Sequence, residues 1–335
     1  MLSAVPESLR PAVAHAIEAV LPSGSAGALT PMSGGLSGAL VYRLEAAGGA
    51  FILRLEQGRD LLRDPHRWRP LMIQAAEAGL APAVHYADAD EGVMIVDFVA
   101  ERPRTELARA DLLQGLARTV RRLHDLPPSA PLIDSFQAVD MAVAEAQVLG
   151  LAPAAILQAV GEAGRRLRIA YPDNPADLVA SHNDLNPRNV IYDGARFWFV
   201  DWEAAFGADR YVDLAGLANF FARDPAEAEL LLAAYFPGEV SAVERARFTL
   251  MRLVNNLFLG LTFLKVAALE QPRAKLELGW DDGPSLADLH RALADGRPVL
   301  DSWAGRAAYG QARLRAAFFG METTETAAAI RTLAA

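Results

Sequence analysis

The chain of 335 residues contains no cysteine, which excludes disulfides, thiolate catalysis and cysteine-held metals together. Histidine is sparse as well. The six, at positions 15, 66, 85, 124, 182 and 290, are scattered and form no His-x-x-x-His pair, so a histidine-held zinc is not expected. Basic charge is outnumbered, 32 Lys and Arg against 41 Asp and Glu for a net −9, and the basic face of a general nucleic-acid binder is missing. No basic run leads into an apolar core at the N-terminus, and no stretch is read as long enough to span a bilayer. The expectation is a cytoplasmic protein with neither nucleic-acid nor membrane partner. Apolar residues are plentiful, at 52%, enough to fill the core of two domains or of one divided unit. The acidic balance suits a cationic small partner, though a solvated surface explains it equally well.

Chemistry concentrates in one stretch, Ser181-His182-Asn183-Asp184-Leu185-Asn186-Pro187-Arg188-Asn189-Val190-Ile191-Tyr192, followed by Phe197-Trp198-Phe199-Val200-Asp201-Trp202-Glu203. A polar loop carrying Asp184 and Asn189 runs into a short apolar strand, turns at Asp193-Gly194, and returns on a second apolar strand that delivers Asp201. Phosphoryl transfer asks little covalent help of a protein, but it needs an acceptor hydroxyl aimed in line and a metal held against phosphate oxygens. One carboxylate must face the nucleophile while an amide oxygen and another carboxylate hold magnesium. Asp184 is the candidate for the first role; Asn189 and Asp201 are the candidates for the second. Each alone also reads as a turn or strand-end residue; the three together, each at the end of an apolar run, point to a site.

The pattern His-x-Asp-x-x-x-x-Asn followed by Asp-Trp-Glu resembles the aminoglycoside phosphotransferase and choline kinase group of the protein-kinase-like fold, and Asp213-Leu214-Ala215 extends the match. The resemblance covers roughly residues 29 to 265 and is specific only at the catalytic segment. It implies an α+β, two-lobed architecture, with a small antiparallel β lobe for nucleotide over residues 1–100 and a larger, mainly helical catalytic and substrate-binding lobe over 101–335. It implies ATP and Mg²⁺ as cofactors and transfer to a hydroxyl of a small molecule. That acceptor would be similar to choline, ethanolamine or thiamine, or an aminoglycoside. A nucleotide-binding regulatory protein with little or no transfer activity is the other reading.

Along the first hundred residues five extended runs surround one helix. Leu29 to Met32 and Leu40 to Leu44 flank a glycine-rich bend in which Ser33, Gly34 and Gly35 are candidates to cover phosphates, although a plain hairpin has the same composition. In Phe51-Ile52-Leu53-Arg54-Leu55-Glu56 a basic residue interrupts an apolar run. By resemblance this strand carries the cation that reaches the nucleotide phosphates, so Arg54 is the candidate, with a guanidinium suited to bidentate grip. The family usually places a partner glutamate about a dozen residues before the turn that here runs from Gly79 to Pro82. This chain has Arg67 and Trp68 there. Asp64 either substitutes or caps the following helix with Pro65 at its first position, and the cap is favoured. The strand from Gly92 to Val99 leads, by resemblance, into backbone groups of Asp97, Phe98 and Val99 that would pair with adenine.

Beyond Pro103 the pattern turns helical, with helices expected over 106–126, 136–170 with an interruption at Gly150 to Pro153, 226–236 and 241–269. His182 reads as a buttress of the loop. Asp213 reads as a helix cap and, by resemblance, a brace of the loop. Asn255 and Asn256 lie in an apolar helix and are either satisfied internally or aimed at an acceptor. Trp202, Trp280, Trp303 and Tyr309 could pack helices or form an aromatic cage for an ammonium group.

Overall fold

The computed structural model describes residues 2–22, 24–32, 38–58, 60–61, 63–271 and 283–335. The chain divides into two compact units, one made of Met1–Ala108, Arg121–Ala130 and Ala180–Gly207, the other of Arg109–Val120, Pro131–Val179 and Ala208–Ala335. The expected bend at Ser33, Gly34 and Gly35, and Trp280, lie outside the described residues.

The first unit starts with α1 (Arg10–Val20) and is built on five strands: β1 (Ala26–Met32), β2 (Leu40–Ala46), β3 (Gly49–Leu55), β4 (Val84–Asp88) and β5 (Val93–Asp97), with α2 (Pro65–Glu77) between β3 and β4. The sheet is antiparallel, in the order β1-β2-β3-β5-β4. Val13, Ala16 and Ile17 of α1, spaced on one helical face, pack with Leu29, Tyr42, Leu44, Leu53, Leu55, Val93 and Ile95 of the strands. Each such fully buried large side chain contributes roughly 1.5–3 kcal/mol, so a charge at Leu53 would break the layer. Strand side chains alternate. Leu53 and Leu55 enter this core, and Arg54 is therefore sent to the opposite face together with the next alternate residue, Glu56.

α2 opens as the sequence indicates. The Asp64 carboxylate accepts the N–H of His66 at 3.0 Å, and Pro65 stands at the first helical position. The helix ends at Gly79, whose φ of 67° is the left-handed conformation that terminates helices. After it the Phe199 N–H reaches the Leu80 carbonyl at 2.8 Å, joining the end of α2 to the hairpin that delivers Asp201.

The second unit is helical. α3 (Arg109–His124) contributes its first part, followed by α4 (Ser135–Leu149), α5 (Ala154–Ala170), α6 (Tyr211–Phe221), α7 (Pro225–Tyr235), α8 (Ala242–Glu270), α9 (Leu286–Ala294), α10 (Trp303–Met321) and α11 (Thr324–Ala334). The interruption expected at Gly150 is a left-handed C-cap, φ 63°. Four short strands follow in the chain, β6 (Leu178–Ser181), β7 (Val190–Tyr192), β8 (Phe197–Phe199) and β9 (Phe206–Asp209); β6 pairs with β9, while β7 and β8 pair with each other and belong to the first unit.

α8 corrects one expectation. By length and apolar content its 29 residues would cross a membrane. Its buried residues run from Ala246 to Ala267, and it packs against α4, α6, α10 and α11 as a core helix. Gly310 of α10 lets the two backbones touch, since a Cβ there would lie 2.7 Å from the Gly260 carbonyl oxygen and 3.0 Å from the Leu264 nitrogen.

Candidate active site

The catalytic segment folds as a loop followed by a hairpin. β7 and β8 pair in the register Val190 to Phe199, Ile191 to Trp198 and Tyr192 to Phe197. The turn is held by Asp193, whose Oδ1 accepts the N–H groups of Ala195 and Arg196 at 2.8 and 2.9 Å, while Trp198 Nε1 donates to Oδ2 at 2.7 Å. These bonds hold the Asp193 carboxyl below its ordinary range against the opposing effect of burial. His182, fully buried, lies 3.0 Å from the Val200 carbonyl through Nε2 and packs its ring on Trp202. That is the buttress expected of it.

Two residues of the segment adopt φ of 63°, Asn183 and Asp201, the only non-glycine residues among those described with positive φ. Such conformations cost free energy and cluster at functional sites. Asn183 is held in place on both sides. Its Oδ1 accepts from Ser181 Oγ at 2.8 Å, and its Nδ2 donates to the carbonyls of Ala204 and Phe206 at 2.9 and 3.3 Å. It thereby fixes the backbone just after Asp201.

Asp184 and Asn189 are brought into contact. Asn189 Nδ2 donates to the backbone carbonyl of Asp184 at 2.8 Å and to its Oδ2 at 2.9 Å, and Asn186 Nδ2 donates to Oδ1 at 3.1 Å. With the Asn189 nitrogen spent on Asp184, the amide oxygen remains as a hard donor. The Val200 N–H binds the Asn189 carbonyl at 3.0 Å, tying the loop to the residue before Asp201.

Asp201 meets Arg54. Arg54 Nη1 donates to Asp201 Oδ1 at 3.0 Å, Nη2 donates to Glu203 Oε1, and Nε donates to Glu56 Oε1 at 2.8 Å. Burial disfavours the Arg54 charge, but Asp201, Glu56 and Glu203 outweigh it and hold the guanidinium above its ordinary value. Burial, with Asp201 and Glu56 as negative neighbours, pushes Glu203 up to about 7 against the pull of Arg54. Arg54, Asp184, Asn189 and Asp201 therefore fall in one connected unit.

At the end of β5 the N–H groups of Asp97 and Phe98 are already committed, to the Ala83 carbonyl at 3.0 Å and the Ala50 carbonyl at 3.1 Å. The Asp97 carboxylate lies 2.7 Å from His85 Nε2, and the Phe98 ring lies 4.2 Å from the Arg43 guanidinium. Any base pairing there falls to the carbonyls and to Val99.

Other expectations change. Asp209, not Asp213, receives the first N–H of α6, that of Tyr211 at 2.9 Å, while Asp213 is a buried residue of the first turn. Asn255 and Asn256 are satisfied internally, by Asn219 Nδ2 at 2.9 Å and Arg313 Nη1 at 2.7 Å. Trp202 and Tyr309 are each 1% exposed and cannot line an open cage. Tyr309 and Phe220 instead stack on the buried Arg313 guanidinium, 4.8 and 4.4 Å from their ring centres.

Several site residues escaped the sequence reading. Arg104 donates to the carbonyls of Pro187 and Val190 at 2.7 and 2.6 Å, bracing the loop from both sides of Asn189. Arg67 of α2 donates to the carbonyls of Glu203 and Ala205. Arginines in a linker and on a helix carry no local signal of this; Glu56 did, because it shares a strand face with Arg54.

A small antiparallel sheet with two helices, a polar Asp-Asn loop and a hairpin ending in a strained aspartate define a phosphotransferase of the protein-kinase-like class. The chain belongs to the phosphotransferase enzyme family, whose profile matches residues 28–248. None of the curated protein sequences matches it. Among solved structures, a choline/ethanolamine kinase family protein from Mesorhizobium loti is 25% identical over 96% of this chain and 98% of its own, with a TM-score of 0.65. Choline kinase from Streptococcus pneumoniae is 16% identical over 91% and 99%, TM-score 0.58. A spectinomycin phosphotransferase crystallised with ADP and spectinomycin is 12% identical over 88% and 93%, TM-score 0.54.

Proposed function

We propose that the protein transfers the γ-phosphoryl group of ATP to a hydroxyl of a small-molecule acceptor, with the β-rich residues 1–100 binding nucleotide and the helical residues 101–335 binding the acceptor. The observation that carries this reading is the pairing of Asp184 with Asn189 in one loop and of Asp201 with Arg54 at the end of the adjoining hairpin. Asp184 accepts the proton as the acceptor oxygen bonds to phosphorus and the bond to the ADP oxygen breaks. Asn186 and Asn189 orient that carboxylate through one hydrogen bond to each oxygen. Arg54 steadies phosphate charge, Val99 with the carbonyls of Asp97 and Phe98 takes the base, and Ser33, Gly34 and Gly35 cover the phosphates.

The donor set fits magnesium. The Asn189 amide oxygen and the Asp201 carboxylate are hard ligands, and carboxylates outnumber the guanidinium at Arg54. Among the described residues no group of three His, Cys, Asp or Glu is arranged to hold a metal; magnesium commonly takes one or two carboxylates and completes its shell with phosphate oxygens and water. Mg²⁺ held there would neutralise charge on the transferring phosphate.

For the acceptor, the resemblance over nearly the full length to a choline/ethanolamine kinase family protein favours an amino alcohol over an aminoglycoside. The ground for a non-catalytic reading was the missing helix partner of Arg54, and Arg54 has carboxylate partners without it. The test is Mg²⁺-dependent ADP formation against choline, ethanolamine, thiamine, several aminoglycosides and hydroxylated sugars. One acceptor should raise turnover well above the background rate, and Asp184→Asn should abolish that increment with nucleotide affinity nearly unchanged. Transfer unaffected by Asp184→Asn would remove the assignment.

A further inference from the structure

α2 carries no acidic residue between its cap and its final residue, Glu77, yet Arg54 is not left without a carboxylate to orient it. We propose that Glu56, on the same strand face two residues on, is the positioning residue for Arg54, and that α2 reaches the site with reversed polarity, presenting arginine to a strand glutamate. The inference rests on the reading that Arg54 holds nucleotide phosphates.

Glu56 is nearly as enclosed as a core residue, its side chain 4% exposed, and it engages the Nε edge of Arg54. That leaves both Nη groups directed at the hairpin, where they meet Asp201 and Glu203. The site of Glu56 is built on all sides. Its N–H binds the Gly92 carbonyl at 2.9 Å, and Gly92 lies in van der Waals reach, a Cβ there falling 3.4 Å from the Glu56 Cβ. From α2, Arg69 places Nη2 3.9 Å from Glu56 Oε1 while its Nη1 donates to the Val93 carbonyl at 3.2 Å. Trp68 lies beside both cations, its ring centre 5.8 Å from the Arg54 guanidinium carbon and 5.5 Å from that of Arg69. Helix, strand and hairpin are thus joined through Arg69, Glu56, Arg54 and Asp201, in that order.

Positioning and simple field effects have opposite signs here. Removing a negative charge beside a polyphosphate site strengthens anion binding by field alone, whereas loss of an orienting partner weakens it. The experiment measures MgADP affinity by calorimetry, with melting temperature as the folding control, for Glu56→Gln, Glu56→Asp, Arg69→Met, the Glu56→Gln/Arg69→Met double variant and Arg54→Met. Glu56→Gln should raise Kd for MgADP about tenfold or more, with KM for ATP following and KM for the acceptor unchanged. Glu56→Asp should recover part of the loss, Arg69→Met should show a smaller one, and the double variant should be no worse than Glu56→Gln. Unchanged or tighter MgADP binding in a folded Glu56→Gln protein, with Arg54→Met impaired, would overturn the proposal. MgADP affinity unaffected by Arg54→Met would instead overturn the phosphate reading on which it rests.

Discussion

Lowering the pH from 8 to 5 should cost this protein stability at His290. Its Nε2 lies 2.9 Å from the Tyr309 hydroxyl, which accepts from the buried Arg313 at 2.7 Å. Burial, and then the Arg313 charge, depress the His290 pKa from 6.5 to about 4. The unfolded chain binds this proton from about pH 6.5 downwards and the folded chain does not, so stability is full above that value and falls as the pH drops towards 4. The contribution at pH 5 is about 2 kcal/mol relative to pH 8. For a chain of 335 residues, with an unfolding entropy of about 2.1 cal/mol/K per residue, that is about 3 °C in Tm. Glu203 and Asp209, both raised in the fold, act in the opposite sense, their contribution being lost as the pH rises. The quantity to read is therefore the difference between wild type and His290→Gln, which keeps a partner for Tyr309. Thermal melts from pH 8 to pH 5 should show the wild type losing about 3 °C more than the variant. Parallel curves would refute the argument, and with it the idea that burial and the Arg313 charge keep His290 neutral.

Further outcomes follow from geometry. Gly310→Ala forces a methyl against the backbone of α8 and should destabilise by about 1–3 kcal/mol in denaturant unfolding, with turnover intact; a neutral change would mean the helices separate freely. Asn183→Gly should lose activity through the freed Glu203 to Phe206 backbone, and Asn183→Ala should lose a further ~1–2 kcal/mol of stability from the left-handed φ; equal stability of the two would remove the strain assignment. Arg247 bridges Asp177 and Asp209 and donates to the Pro172 carbonyl, so Arg247→Met should cost about 1.5–3 kcal/mol by removing their shared cation, read in chemical denaturation, Arg210 remaining at Asp177. Asp201→Asn should abolish Mg²⁺-dependent transfer while Tm changes little, because Arg54 keeps Glu56 and Glu203; residual Mg²⁺-stimulated turnover would displace Asp201 from the metal.

What was legible in the sequence was what short-range periodicity encodes. The alternation around Arg54 gave its strand and its face, Asp64 and Pro65 gave the start of α2, and Asp193-Gly194 gave the turn that brings Asp201 back beside the loop. Partners distant along the chain were not legible. Arg54 and Asp201 are separated by 147 positions, and Arg67 and Ala205 by 138; nothing local distinguishes an arginine that finds a carboxylate from one that finds a carbonyl. Aromatic residues were ambiguous for a related reason. Tyr309 and Trp202 have the composition of a cation cage, and only burial shows that the cation Tyr309 meets is the protein's own Arg313.

The attachment of α2 to the segment after Asp201 has a consequence for how this protein tolerates change. Arg67 grips main-chain carbonyls of residues 203 and 205, and carbonyls are present whatever side chain occupies the position. Substitution at Ala205 by any residue that fits leaves the tether in place, while Arg67 itself has no such latitude. For this tether, mutational sensitivity therefore rests on one helix position, and substitution scanning should find Arg67 intolerant.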